Sequence, residues 1–124
     1  MVGPGTGVAV FRSIIQKFKK TDREMVLVFG CRSQNSDNYY ADEWKEIPNL
    51  KVITAFSRDQ DSKQYVQHKI RENLEFLKEL ILEKNASIYV SGRAKFMPKS
   101  VEKAFGEVVG NPDYITTMKK QRRY

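Results

Sequence analysis

The chain predicts an α/β fold, a single parallel sheet with helices on both faces, and three observations carry that reading. Short apolar runs alternate with stretches of helical periodicity along its 124 residues. One of those runs, MVLVFG from Met25 to Gly30, is continuously apolar, as a strand buried on both faces must be. A glycine-rich turn, Gly3-Pro4-Gly5-Thr6-Gly7, leads from an apolar start straight into a helical pattern, the form of a strand–turn–helix unit.

The elements follow in order. Met1 and Val2 read as the end of a first strand, expected to be cut short at its front. Val8 to about Lys20 sets Phe11, Ile14, Ile15 and Phe18 at helical spacing, with Arg12, Lys17, Lys19 and Lys20 elsewhere; Thr21-Asp22 breaks it. Met25–Gly30 is the second strand. Tyr39 to Ile47 is a short helix that Pro48 follows, its Tyr39, Tyr40 and Trp44 read as packing residues. Leu50 to Phe56, rich in β-formers, is the third strand, and Ser57 to Gln64 a polar loop. Val66, Ile70, Leu74, Leu77 and Ile81 predict one long amphipathic helix from Val66 to about Lys84. Ile88, Tyr89 and Val90 lie in a fourth strand that Ser91 and Gly92 stop. Pro98 fits the first turn of a helix with Val101, Ala104, Phe105 and Val108 on one face. Asn111-Pro112 breaks it, and Tyr114 to Lys120 forms a last short helix. Alternating strands and helices imply parallel strands, and ligands of such sheets bind beyond the carboxyl ends. Those ends are Gly3–Gly7, Gly30–Arg32, Phe56–Arg58 and Ser91–Arg93.

Composition narrows the function. The length suits one domain, and 40% hydrophobic with 30% charged residues is ordinary for a globular protein. No apolar run approaches the ~20 residues of a membrane span, and the opening residues carry no signal-peptide pattern. A single cysteine, Cys31, excludes an internal disulfide and fits a reducing, cytoplasmic setting. One histidine, His68, and one cysteine far apart speak against a protein-ligated zinc. Cys31 reads as a small buried or half-buried residue rather than a nucleophile, and His68 as exposed helix surface without a partner. The net charge of +7 points to a polyanionic partner, either a multiply phosphorylated nucleotide or a nucleic acid. The basic tail KKQRR by itself reads as solvated surface, and the aromatic residues are not interleaved with basic ones as a single-strand platform needs.

The strand ends favour the nucleotide. Glycines let a backbone approach a diphosphate, a helix N-terminus offers free N–H groups and a positive dipole end, and Thr6 adds a hydroxyl. A turn that needs glycine only for its dihedrals is the plainer alternative. Dinucleotide folds that prefer NAD carry an acid at the second strand end for the ribose 2′-hydroxyl; here that end is Gly30-Cys31-Arg32, which favours a phosphorylated ligand. At the third strand end, Ser57-Arg58 with Lys63, Tyr65 and Gln67 supplies the hydroxyl and cations that suit a dianionic phosphate. An ordinary polar surface loop would look similar in composition.

Taken together, MVGPGTGVA, FGCR, AFSRDQ, KQYVQHKIRE and YVSGRAKFMPKSVEKAF resemble, in order and over nearly the whole chain, the NADPH-binding domain of the diflavin reductases. That family includes cytochrome P450 reductase. DNYYADEW and KFMP are most similar to its NADPH-dependent diflavin oxidoreductase branch, which serves cytosolic iron–sulfur cluster assembly. The resemblance implies the Rossmann-like nucleotide-binding domain of the ferredoxin-NADP reductase fold over residues 1–124, with FMN and FAD domains absent and the first strand and C-terminal tail truncated. It implies that Gly5, Thr6 and Gly7, assisted by Arg32, hold the pyrophosphate. Ser57, Arg58, Lys63 and Tyr65, with Gln67 nearby, would hold the adenosine 2′-phosphate, and Gly92 would line the nicotinamide side. The implied activity is electron transfer from NADPH through FAD and FMN to a protein acceptor, anamorsin for the iron–sulfur branch. A P450-reductase-type donor and a catalytically degenerate nucleotide- or partner-binding domain are the alternatives. Without the flavin domains the chain is expected to bind nucleotide but not turn over, and without most of its first strand to be poorly stable. Val10 departs from the family's proline, Ser91 from its cysteine and Arg93 from a smaller acid or amide, while the family's terminal acid and flavin-shielding aromatic, which follow the position of Tyr124, are expected to be missing. Tyr124 is not assigned that shielding role.

Overall fold

A computed structural model describes residues 1–33, 40–58, 64–92 and 97–124, Thr6 by its backbone alone. Strands β1 (Val2–Pro4), β2 (Met25–Cys31) and β3 (Leu50–Phe56) form a parallel sheet in the order β1-β2-β3. Register runs from Met25↔Leu50 to Cys31↔Phe56 across β2 and β3, and from Val2↔Val28 to Pro4↔Gly30 across β1 and β2. On the other side of β1 a parallel bridge joins Val2 to Val90. There the Val2 N–H donates to the Tyr89 carbonyl at 2.7 Å, and the Ser91 N–H to the Val2 carbonyl at 2.9 Å. The chain thus builds outward from β1 to β3, then crosses back to lie on the far side of β1.

Each strand of a two-sided sheet must bury both faces, and β2 does so by alternation. Met25, Leu27, Phe29 and Cys31 pack with Val8, Phe11 and Ile15 of α1 (Val8–Phe18) and Trp44 of α2 (Ala41–Lys45). Val28 joins Val2 and Ile53 in a second core on the opposite face. That core is completed by α3 (Val66–Glu72), α4 (Leu74–Leu82), α5 (Met97–Val109) and α6 (Pro112–Lys120). Helices therefore cover both faces, as the alternation of patterns predicts, and Trp44 and Cys31 are buried as expected.

Four elements differ from the sequence reading. The long helix is two helices, broken at Asn73, whose backbone leaves the helical region (φ −102°, ψ 29°). Its side-chain amide donates to the Lys69 carbonyl at 2.9 Å, a local bond that competes with helix continuation although the apolar periodicity runs straight through. The fourth strand shrinks to the Val90 bridge, because the Ile88 N–H donates instead to the Arg123 carbonyl at 2.7 Å. Asn111-Pro112 does not merely end α5: Gly110, at φ +76°, ends it, and the Asn111 Oδ1 caps α6 by accepting the Asp113 N–H at 2.9 Å. The basic tail is only partly solvated. Arg123 Nη2 donates to the carbonyls of Ile81 at 2.9 Å and Ala86 at 3.2 Å, and Tyr124 packs edge-on to Phe105, its phenol pKa raised by burial.

Candidate nucleotide-binding site

The crossing of the chain from β3 to the far side of β1 makes a topological switch point, the place where open α/β sheets bind ligands. Two segments meet there, the turn after β1 and the end of the Val90 bridge. Their contact is close. A Cβ on Gly7 would run into the Ser91 carbonyl oxygen and lie 2.9 Å from the Gly92 Cα; one on Gly92 would lie 3.1 Å from the Pro4 ring. A Cβ on Gly30, at the end of β2, would stand 3.0 Å from Val66 of α3 and 3.4 Å from Pro4. Glycines at these positions let the ends of β1, β2 and the Val90 bridge and the start of α3 converge around Pro4.

The turn itself is a single 3-10 turn, Gly5–Gly7, running directly into α1. Gly5 holds φ +57°, and a Cβ placed there would meet nothing within 4 Å, so its backbone faces open space. Among the described residues, the N-cap position of α1 is Gly7, which offers no side-chain hydrogen bond, and no acid stands in the first turn. An uncapped N-terminus with its dipole unopposed is the property an anionic ligand uses. The residues present therefore fit a phosphorylated nucleotide at this turn.

Beyond β2 and β3 the pairing continues. The Ser57 N–H donates to the Cys31 carbonyl at 2.9 Å, and the Arg58 N–H to the Arg32 carbonyl at 2.8 Å. This carries Ser57 and two exposed arginines, Arg32 and Arg58, to one corner of the sheet. Tyr65 stands exposed (43%) as the N-cap of α3, next to Val66, which packs on Gly30. Gln67 is half-buried on the first turn of α3. Of the residues read from the sequence, Gly5, the Thr6 backbone, Gly7, Arg32, Ser57, Arg58, Tyr65, Gln67 and Gly92 thus all lie at the carboxyl edge. Lys63, Arg93 and Tyr39 lie outside the described residues. Gly7 and Gly92 serve close packing within the chain, whereas Gly5 borders open space.

His68 is half-buried rather than exposed, and its Nδ1 accepts the Tyr65 N–H at 2.9 Å while the two rings lie 5.7 Å apart. The available signal was its position, three residues after the cap, where a capping box places an acceptor. Among the described residues no group of three or more His, Cys, Asp or Glu can hold a metal, and no helix is long and apolar enough to cross a membrane.

A model of the oxidoreductase NAD-binding domain family matches residues 1–103. NADPH-dependent diflavin oxidoreductase 1 of Xenopus laevis is 43% identical over 137 aligned positions, covering 100% of this chain and 23% of that protein. The protein of the same name in Danio rerio is 50% identical over 105 positions, 82% of this chain and 18% of its own length. The NADPH–cytochrome P450 reductase of Aspergillus niger is 43% identical over 120 positions, 88% of this chain and 17% of its own. The chain spans less than a quarter of these relatives' length. With a glycine turn at the switch point of a parallel sheet and a family match over most of its residues, the chain belongs to the oxidoreductase NAD-binding domain family, within the diflavin reductases.

Proposed function

We propose that residues 1–124 are the NADPH-binding domain of a diflavin oxidoreductase. The observation that carries this reading is the convergence at one sheet edge of an open glycine turn and a corner holding Arg32, Ser57 and Arg58. The Gly5–Gly7 backbone and the uncapped start of α1 bind the pyrophosphate, with Arg32 neutralising charge beside them. Ser57, Arg58, Lys63 and Tyr65, with Gln67 adjoining, bind the 2′-phosphate and so select NADPH over NADH. Gly92, whose lack of a side chain lets it pack on Pro4, leaves room on the nicotinamide side. When bound, the nucleotide supplies a hydride, and the whole protein passes the electrons through FAD and FMN to a protein acceptor. These residues bind and orient, and none of them is assigned a catalytic role.

The finer reading is a cytoplasmic protein of iron–sulfur cluster assembly that donates to anamorsin. It rests on the relatives named diflavin oxidoreductase 1. The second reading, a donor of the P450-reductase type, is favoured by relatives of that name at 40–44% identity. Reduction assays of the full-length protein with each acceptor separate the two.

The nucleotide reading is tested by calorimetric titration of this chain with 2′,5′-ADP and with 5′-AMP. Clear binding of the first and much weaker binding of the second are expected. Arg58→Ala, which removes a charge-assisted contact of ~1.5–3 kcal/mol, lowers the affinity for 2′,5′-ADP about tenfold or more and leaves 5′-AMP nearly unchanged. Equal binding of both nucleotides by the folded chain would sink the reading.

A further inference from the structure

Tyr65 is exposed, and an exposed tyrosine ordinarily samples several rotamers. Here it is held at three points. Its carbonyl accepts the His68 N–H at 3.0 Å, the first turn of α3. Its own N–H, which as an N-cap group has no partner within the helix, donates to the His68 Nδ1 at 2.9 Å. Its ring lies 5.7 Å from the imidazole at a tilt of 37°. Glutamate or glutamine at this third helical position performs the backbone half of this in a capping box. Histidine performs it only with Nδ1 unprotonated, so the ring proton sits on Nε2. The imidazole is then turned back over the cap, which puts it against the tyrosine ring. Backbone and side chain of Tyr65 are anchored by the same residue.

We propose that His68 is a positioning residue for nucleotide specificity: its Nδ1 holds the Tyr65 backbone, and its ring the Tyr65 ring, at the edge of the sheet where the 2′-phosphate binds. The inference rests on the reading of that edge as a 2′-phosphate site. His68 touches no ligand in this scheme and acts through Tyr65 alone.

Three variants separate its parts. His68→Gln keeps an acceptor at the third helical position and removes the ring; His68→Phe keeps a ring and removes the acceptor; His68→Leu removes both. Hydrogen exchange of the Tyr65 amide, followed by NMR, reads the anchor without any ligand. Calorimetry reads the ratio of affinities for 2′,5′-ADP and 5′-AMP. With a cap worth about 1 kcal/mol, roughly fivefold, His68→Leu and His68→Phe speed Tyr65 exchange and lower the ratio by about that factor. His68→Gln restores slow exchange and most of the ratio. The same spectra show which variants are folded, and if His68→Leu is not, the Gln and Phe pair decides. A Gln variant no better than Phe, or a Leu variant with wild-type exchange and ratio, overturns the inference. A wild-type chain that binds the two nucleotides alike overturns the 2′-phosphate reading and the specificity claim with it. A discriminating wild type whose ratio survives loss of His68 overturns the claim alone.

Discussion

Gly5 and Gly7 stand two places apart in one turn and are glycine for different reasons. Gly5 has a left-handed backbone with open space about it, so an added methyl is strained by its dihedrals and meets no neighbour. Gly7 has an ordinary helical backbone but abuts the Ser91 carbonyl, which belongs to rigid main chain. Gly5→Ala is expected to lower stability by about 1–2 kcal/mol, the cost of a left-handed residue. Gly7→Ala is expected to cost about 1–3 kcal/mol through overpacking and, unlike Gly5→Ala, to displace Ser91 and Gly92. Urea unfolding gives the two costs, and chemical-shift changes at Ser91 and Gly92 in Gly7→Ala but not Gly5→Ala check the difference. Undisturbed shifts in Gly7→Ala would show that the turn has room there. The turn was legible in the sequence as a phosphate cradle, but the division of labour inside it was not, because Ser91 reaches Gly7 only through the fold. His68 was hidden for a related reason. Its position three residues after the cap is the pattern of a capping box, but whether histidine fills it depends on which ring nitrogen faces the cap, and that is fixed only by the fold.

At the level of elements, what could be read was set by local chemistry. The run Met25–Gly30, the α1 stripe of Phe11 and Ile15 and the β-rich Leu50–Phe56 each agree with their surroundings, so pattern and fold coincide. Asn73 and the Ile88–Val90 segment do not. Asn73 breaks a helix whose apolar spacing is unbroken, and Ile88 is claimed by the chain terminus. Arg123 is the key to that second departure. Its guanidinium joins the end of α4 to the following loop through the Ile81 and Ala86 carbonyls, and its own carbonyl accepts the Ile88 N–H. Hydrogen bonds to a charged group are worth ~1.5–3 kcal/mol, so Arg123→Met is expected to cost about 2 kcal/mol in urea unfolding. Arg122→Gln, at an exposed neighbour, is expected to stay within about 0.5 kcal/mol. Equal effects of the two substitutions would return the whole tail to the solvated role its composition implies.

At the scale of the whole molecule, β1 is held on both sides, by β2 and by the Val90 bridge, and its Val2 is 1% exposed between Val28 and Val90. Met1 continues that strand line. Its carbonyl accepts the Val28 N–H at 2.8 Å, and its α-amino group donates to the Val26 carbonyl at 2.9 Å. Burial disfavours the charged amine and lowers its pKa from 8.0 to about 6. The neutral amine keeps its hydrogen bond, so the folded state is best served without the extra proton. In the unfolded chain the amine takes up its proton as pH falls through about 8, and in the folded chain only near 6. Between those values the unfolded state binds more protons, so stability decreases as pH falls; above and below that window this group adds no slope. Two pH units at ~1.4 kcal/mol each set the whole effect at about 3 kcal/mol, of which about 2 kcal/mol is lost between pH 8 and pH 6. The N-terminally acetylated chain is the proper reference, since it lacks the amine and keeps every other titratable group. Unfolding free energies measured at both pH values should fall more steeply with acidity for the free amine than for the acetylated chain, by about that amount. Parallel pH dependences would mean that the amine reaches solvent, and that the first strand is looser at its start than its hydrogen bond to Val26 implies.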